Sequence, residues 1–157
     1  MQQTNWIEQK ATAVLRDHWN NSAPVDPFAI ARKMGATIEQ HLGSESGCLD
    51  ITNDGVVIRV NPNDAPYRQR FTVAHEIGHW QLVHGNRFRD TSANFTTAAD
   101  WHVEREANEF AACLLMPRPW VEHLALRLGW NVSNMAAELG VSKVAMEYRL
   151  KNLGITT

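Results

Sequence analysis

Two cysteines, Cys48 and Cys113, are all that this 157-residue chain contains. A small disulfide-stapled scaffold is therefore excluded, because such folds need several closely spaced pairs. Both cysteines sit in apolar-looking segments and read as buried free thiols in a reducing compartment. No apolar run approaches the roughly 20 residues needed to cross a bilayer. Met1 to Lys10 lacks the basic stretch and apolar core of a secretory signal. A large charge of one sign is also missing. The 15 Lys and Arg stand against 17 Asp and Glu, a formal net charge of -2, which argues against general nucleic-acid coating. The sequence has no repeats, low-complexity tract or long linker. These absences predict a cytoplasmic protein without membrane contact. The composition that remains, 44% hydrophobic and 20% charged, is that of one globular domain with a real core.

The order of elements follows from periodicity and punctuation. Trp6 to Trp19 has helical spacing, with Trp6, Ile7, Lys10, Val14, Leu15 and Trp19 on or near one face. Asp26 and Pro27 are an N-cap and a first helical residue, and Gly35 ends that short helix. Thr37 to Leu42, Cys48 to Ile51 and Val56 to Val60 read as strands, the last two joined by the turn Asn53-Asp54-Gly55. A helix is expected from Pro66 to about Val83, a loop from Asn86 to Thr97, and a helix from about Ala98 to Met116. Pro119 opens a short helix through Leu128. The tail, Ser133 to Leu139 and Ser142 to Leu153, reads as helix-turn-helix about Gly140. Early strands among helices predict a mainly helical α+β fold with a small early sheet or hairpin. Residues 1–157 are read as a single domain, with 131–157 a helix-turn-helix-like segment packed on the rest.

Chemistry concentrates in Phe71-Thr72-Val73-Ala74-His75-Glu76-Ile77-Gly78-His79-Trp80, which contains H-E-x-x-H. On a helix, positions four apart differ by ~40° and ~6 Å along the axis. His75 and His79 therefore share a face and can hold one metal ion. Glu76, turned ~100° from His75, comes beside that metal, where its carboxylate can take a proton from water. The apolar neighbours predict a buried helix, and two histidines and a glutamate buried there need partners.

Zinc needs a third protein ligand and, for catalysis, an open fourth position. A histidine six residues after His79 would make the metzincin pattern, but that position is Gly85. His84 falls one residue short and reads as structural or supporting. The better source is Glu104-Arg105-Glu106-Ala107-Asn108-Glu109. Glu104 and Asn108 share a face, so Glu104 as ligand lets Asn108 hydrogen-bond a ligand histidine and fix its ring. Glu106 lies roughly 200° round the helix from Glu104 and remains the alternative, with Glu109 behind it. Cys113 is poorly placed for a closed structural site.

These residues resemble a known family. Arg70 to His84, RFTVAHEIGHWQLVH, followed by Glu104 to Pro117, EREANEFAACLLMP, is similar to the ImmA/IrrE family of metallopeptidases. Pro24 to Gly35 and Gly140 to Gly154 resemble the family's N-terminal helix and C-terminal helical segment. The resemblance implies a gluzincin-like fold with a zincin-like cleft and Zn²⁺ as cofactor. It also implies that the E-x-x-A-N helix supplies Glu104 as ligand. An edge strand beside the cleft, here Val56 to Val60, is expected to pair with an extended substrate. The substrate class it implies is a helix-turn-helix repressor, cut to relieve repression.

The expected reaction is peptide hydrolysis: a metal polarises the scissile carbonyl, and Glu76 takes the proton of the attacking water and passes it to the leaving amine. His84, His102, His123, Tyr67 and Tyr148 are candidates to stabilise the oxyanion. The competing reading is a catalytically silent regulatory module, binding a repressor or DNA, or a toxin-antitoxin component. Ser142, Lys143, Tyr148 and Arg149 would then face DNA, yet the tail's basic content is modest, and packing or partner docking is favoured over direct DNA contact.

Overall fold

Local capping places the helices much as these rules require. In the computed structural model, which describes residues 2–83, 87–89, 98–129 and 131–155, Asp26 accepts hydrogen bonds from the backbone N–H groups of Phe28 and Ala29, at 3.0 and 3.3 Å, at the start of α2 (Pro27–Lys33). Ser142 caps α7 (Lys143–Asn152) through Ala145 N–H at 3.1 Å. Gly140, at φ 64°, closes α6 (Val132–Leu139) in the left-handed conformation that suits glycine. The remaining helices are α1 (Gln2–His18), α3 (Pro66–Gln81), α4 (Ala98–Leu115) and α5 (Arg118–Arg127). On α1 the buried residues are Ile7, Ala11, Val14 and Leu15; Lys10, expected near that face, is exposed. Trp130, Gly85 and His84 lie outside the described residues.

Four strands form one sheet in the order β1 (Ala36–Gln40), β3 (Gly55–Val60), β2 (Gly47–Thr52), β4 (Arg87–Arg89). Two expectations are corrected here. Val56 to Val60 is interior, because β1 pairs with it in parallel and β2 in antiparallel register, so both of its backbone edges are already hydrogen-bonded. It cannot take a substrate strand. The segment read as a loop also contains a short strand, β4, which pairs with β2 at Gly47–Leu49 and occupies the sheet edge. Three residues are too few for a period-2 pattern to show.

The layers meet through small residues. A Cβ on Gly47 would fall 2.4 Å from the Arg59 carbonyl oxygen and 2.6 Å from Thr72 Cγ2, so only glycine lets β2 lie this close to α3. α4 packs between α3 and α1. At the α3–α4 crossing, a Cβ on Gly78 would lie 3.1 Å from Phe110 Cβ and 3.2 Å from the Ala107 carbonyl. The fully buried Ile58, Ile77, Phe110, Leu114, Leu124 and Met135 belong to the surrounding core. Each such side chain contributes about 1.5–3 kcal/mol on burial. The partly buried Trp19 and Trp120 rings meet edge to face at 6.1 Å.

Two arginines tie distant elements together, Arg149 buried and Arg70 partly buried. Arg70 of α3 donates from Nε to the Gly140 carbonyl at 3.1 Å and from Nη2 to the carbonyls of Leu139, at 3.4 Å, and Val25. It ties the motif helix to the α6–α7 turn and to the entry of α2. Arg149 of α7, only 3% exposed, donates to the Met116 carbonyl at 2.9 Å and to Glu8 Oε2 at 3.1 Å. Among the described residues, no helix is long and apolar enough to cross a membrane.

Candidate metal centre

α3 and α4 cross closely where Gly78 has no side chain, which brings their polar groups together. His75, Glu76 and His79 are fully buried, and Glu104 is nearly so. Buried groups of this kind are held only where each finds a partner. His75 Nε2 lies 3.1 Å from Glu104 Oε1, His79 Nε2 lies 2.6 Å from Glu104 Oε2, and the two imidazole Nε2 atoms are 3.1 Å apart. The rings stand nearly perpendicular, at 85°.

This donor set suits a metal ion. One ligand atom from each of His75, His79 and Glu104 can be chosen so that all lie within 4.8 Å of one another. Tetrahedral zinc, with bonds of about 2.0–2.1 Å to histidine nitrogen, requires ligand atoms ~3.3 Å apart, close to the 3.1 Å between the imidazole nitrogens. Protonation agrees. His75 Nδ1 donates to Asn108 Oδ1 at 2.8 Å, which leaves the lone pair on Nε2, directed at the cluster. Burial by itself raises the Glu104 pKa, but when the imidazoles are protonated the hydrogen bonds and charges of His75 and His79 outweigh it and hold the carboxyl at about 2. At neutral pH the carboxylate is ionised, the form that binds metal.

The alternatives are placed elsewhere. Glu106 pairs with His102 at 3.2 Å, on a partly exposed stretch of α4. Glu109 lines a cavity one turn further along. Cys113 lies against Arg149, at 3.6 Å from Nη1. Of the candidates for oxyanion stabilisation, His123 packs edge-on against Trp120. Tyr67 and Tyr148 are exposed and line the same cavity as Asn108. Arg149, a candidate DNA contact by sequence, is turned inward and spends its donors on Met116 and Glu8, so it is not available to a phosphate.

A family model described as the IrrE N-terminal-like domain matches residues 31–151. The chain belongs to the Peptidase_M78 family. It is a metallopeptidase. This Peptidase_M78 chain is 26% identical to "Metallopeptidase ImmA" of Bacillus subtilis over 151 residues, covering 94% of this chain and 86% of that protein. It is 34% identical over 93 residues to "Radiation response metalloprotease IrrE" of Deinococcus radiodurans, covering 56% of this chain but 27% of that one. Among solved structures, "Mycobacterium tuberculosis transcriptional regulator" superposes with a TM-score of 0.68 over 94% of this chain and 46% of that chain. At 18% identity this likeness shows the fold alone, a mainly helical α+β arrangement. The chain thus spans less than half the length of the latter two proteins.

The thiols of this Peptidase_M78 chain are held in the interior. Cys48 and Cys113 are free and buried. Burial pushes the Cys113 thiol up to about 12, with the nearby Arg149 charge pulling the other way. Burial likewise raises Cys48, opposed by the hydrogen bond with Arg59. A raised thiol pKa means a neutral, unreactive sulfur below it. Neither cysteine should react with iodoacetamide at pH 8 in the native chain, and both should react in denaturant. Mass spectrometry of the labelled protein checks this, and rapid native labelling of Cys113 would contradict its burial.

Proposed function

We propose that this chain is a zinc-dependent endopeptidase in which His75, His79 and Glu104 hold the metal and Glu76 is the general base. The observation that carries the reading is the convergence of two imidazole nitrogens and one carboxylate from two helices, with His75 held in the ligand-ready tautomer by Asn108. Zinc there supplies a Lewis acid that polarises a carbonyl and acidifies water. Glu76 accepts the proton of the attacking water and returns it to the leaving amine. An extended substrate pairs with the outer backbone edge of β4, since β3 is already paired on both sides.

The substrate class we propose is a helix-turn-helix transcriptional repressor, cut in the cytoplasm to relieve repression. Support comes from the family membership, from the relatives' names, which join metallopeptidase activity to a radiation response, and from the fold shared with a protein named a transcriptional regulator. Residues 1–157 act as one unit in this reading. The bonds from Arg70 to the 139–140 carbonyls and from Arg149 to Met116 and Glu8 support a helix-turn-helix-like segment, 131–157, packed on the rest. Mixing the zinc-loaded chain with a candidate repressor should give two discrete fragments on a gel. A chelator should stop the cut, and added zinc should restore it. Cleavage that persists undiminished in chelator would end the metallopeptidase mechanism for that substrate.

A further inference from the structure

Asn108 faces two ways: its Oδ1 accepts from His75, and the residue also lines a cavity of about 400 Å³ between α3, α4 and the start of α7. That volume suits a long side chain or a small organic molecule. The walls are largely apolar, with Phe71, Met116, Val141 and Ala145 contributing. Among them sits Glu109. Its Oε1 is fully buried, and no described residue donates a hydrogen bond to it. Burial raises the Glu109 pKa, with the Arg149 charge opposing. Arg149 does not satisfy this oxygen, because its guanidinium is directed to Met116, Cys113 and Glu8. A buried carboxylate oxygen among apolar walls without a donor is costly, and a charged N–H group is the partner that offsets the cost best. At the rim, the exposed Arg105 and the hydroxyls of Tyr67 and Tyr148 are donors suited to carbonyl oxygens.

We propose that this cavity binds an ammonium or guanidinium group carried on an apolar stem, with Glu109 as its acceptor. Two sources share that chemistry, a lysine or arginine side chain of a bound peptide and a free alkylamine. The peptide source rests on the peptidase reading above: Asn108 places the cavity one hydrogen bond from His75, so a peptide cut at the metal centre can set a neighbouring side chain in it. The binding itself does not depend on that reading.

The test titrates the full ¹⁵N-labelled chain with hexylamine and with hexan-1-ol, and no cleavage is read. Saturable amide shifts are expected in residues 109–116 and 141–148, with hexylamine at least tenfold tighter than the alcohol. Glu109→Gln should erase that preference and leave the alcohol's affinity unchanged, which also reports that the variant is folded. Equal affinity of the two probes for the wild type, absence of saturable shifts in these segments, or a preference that survives Glu109→Gln would each overturn the proposal. A capped Ala-Lys-Ala peptide that binds more tightly than hexylamine assigns the cavity to peptide side chains; the reverse order assigns it to free amines. Because no hydrolysis is involved, failure of the peptidase reading would leave these outcomes distinct.

Discussion

Glu76→Gln is expected to keep one zinc per chain and lose nearly all cleavage, whereas His75→Ala and Glu104→Ala are expected to lose the zinc itself. The contrast follows from the separate tasks proposed for these side chains. Removing a positioned general base costs about 10²–10⁴ in rate. Glutamine keeps the size of Glu76 but cannot accept the proton, and the three metal-facing atoms are untouched. Removing His75 or Glu104 instead deletes one of the three donors that converge among the described residues. Loss of an outer hydrogen-bond partner typically costs about 10–100-fold in metal affinity, so loss of a direct donor should exceed that, and Asn108→Ala should fall within it. Zinc stoichiometry after dialysis against a competing chelator, measured beside repressor cleavage, separates the two classes. Full cleavage by Glu76→Gln would remove Glu76 as the base. Wild-type zinc retention by both alanine variants would remove the site.

Arg149→Met should destabilise the fold by about 3–5 kcal/mol, the usual consequence of taking one partner from a buried charge pair. The arginine is 3% exposed and supplies hydrogen bonds to the Met116 carbonyl and to Glu8. Methionine fills much of the same space but donates nothing, so the carbonyl at the end of α4 is left unsatisfied in the interior. Glu8, whose side chain is 26% exposed, recovers part of its solvation and loses less. Glu8→Gln should therefore be the milder change. Against a total stability of about 5–15 kcal/mol, the arginine substitution is large. Urea denaturation checks it: a shift below about 1 kcal/mol would mean that Arg149 is replaceable packing.

How much of this was legible in the sequence depends on the range over which each feature is determined. The pairing of His75 with His79 needs only the pitch of one helix, and the caps at Asp26 and Ser142 need only their neighbours two or three residues on. The preference for Glu104 over Glu106 was half legible. Helical geometry says that the two diverge, while the crossing of α4 over α3 brings Glu104 to the histidines and leaves Glu106 with His102. The edge strand was misassigned to Val56 to Val60 because alternation and turn residues identify a strand but do not reveal which strands flank it. Nothing local marks Arg70 or Arg149 as a tie between elements. Their partners are carbonyls and a carboxylate 33 to 141 positions away for Arg149 and 45 to 70 for Arg70.

By itself, then, the sequence determined the helical stretches, the four-residue spacing of His75 and His79 on α3 and the mainly helical α+β class. All of these arise from backbone geometry and burial within a few turns. Only the tertiary structure decided the strand order, the inward turn of Arg149, the docking of the α6–α7 turn on Arg70 and the cavity around Glu109. Each of these depends on which surfaces meet. That outcome is set by close packing at sites such as Gly47, where one added carbon would strike neighbouring elements, and Gly78, where it would crowd α4.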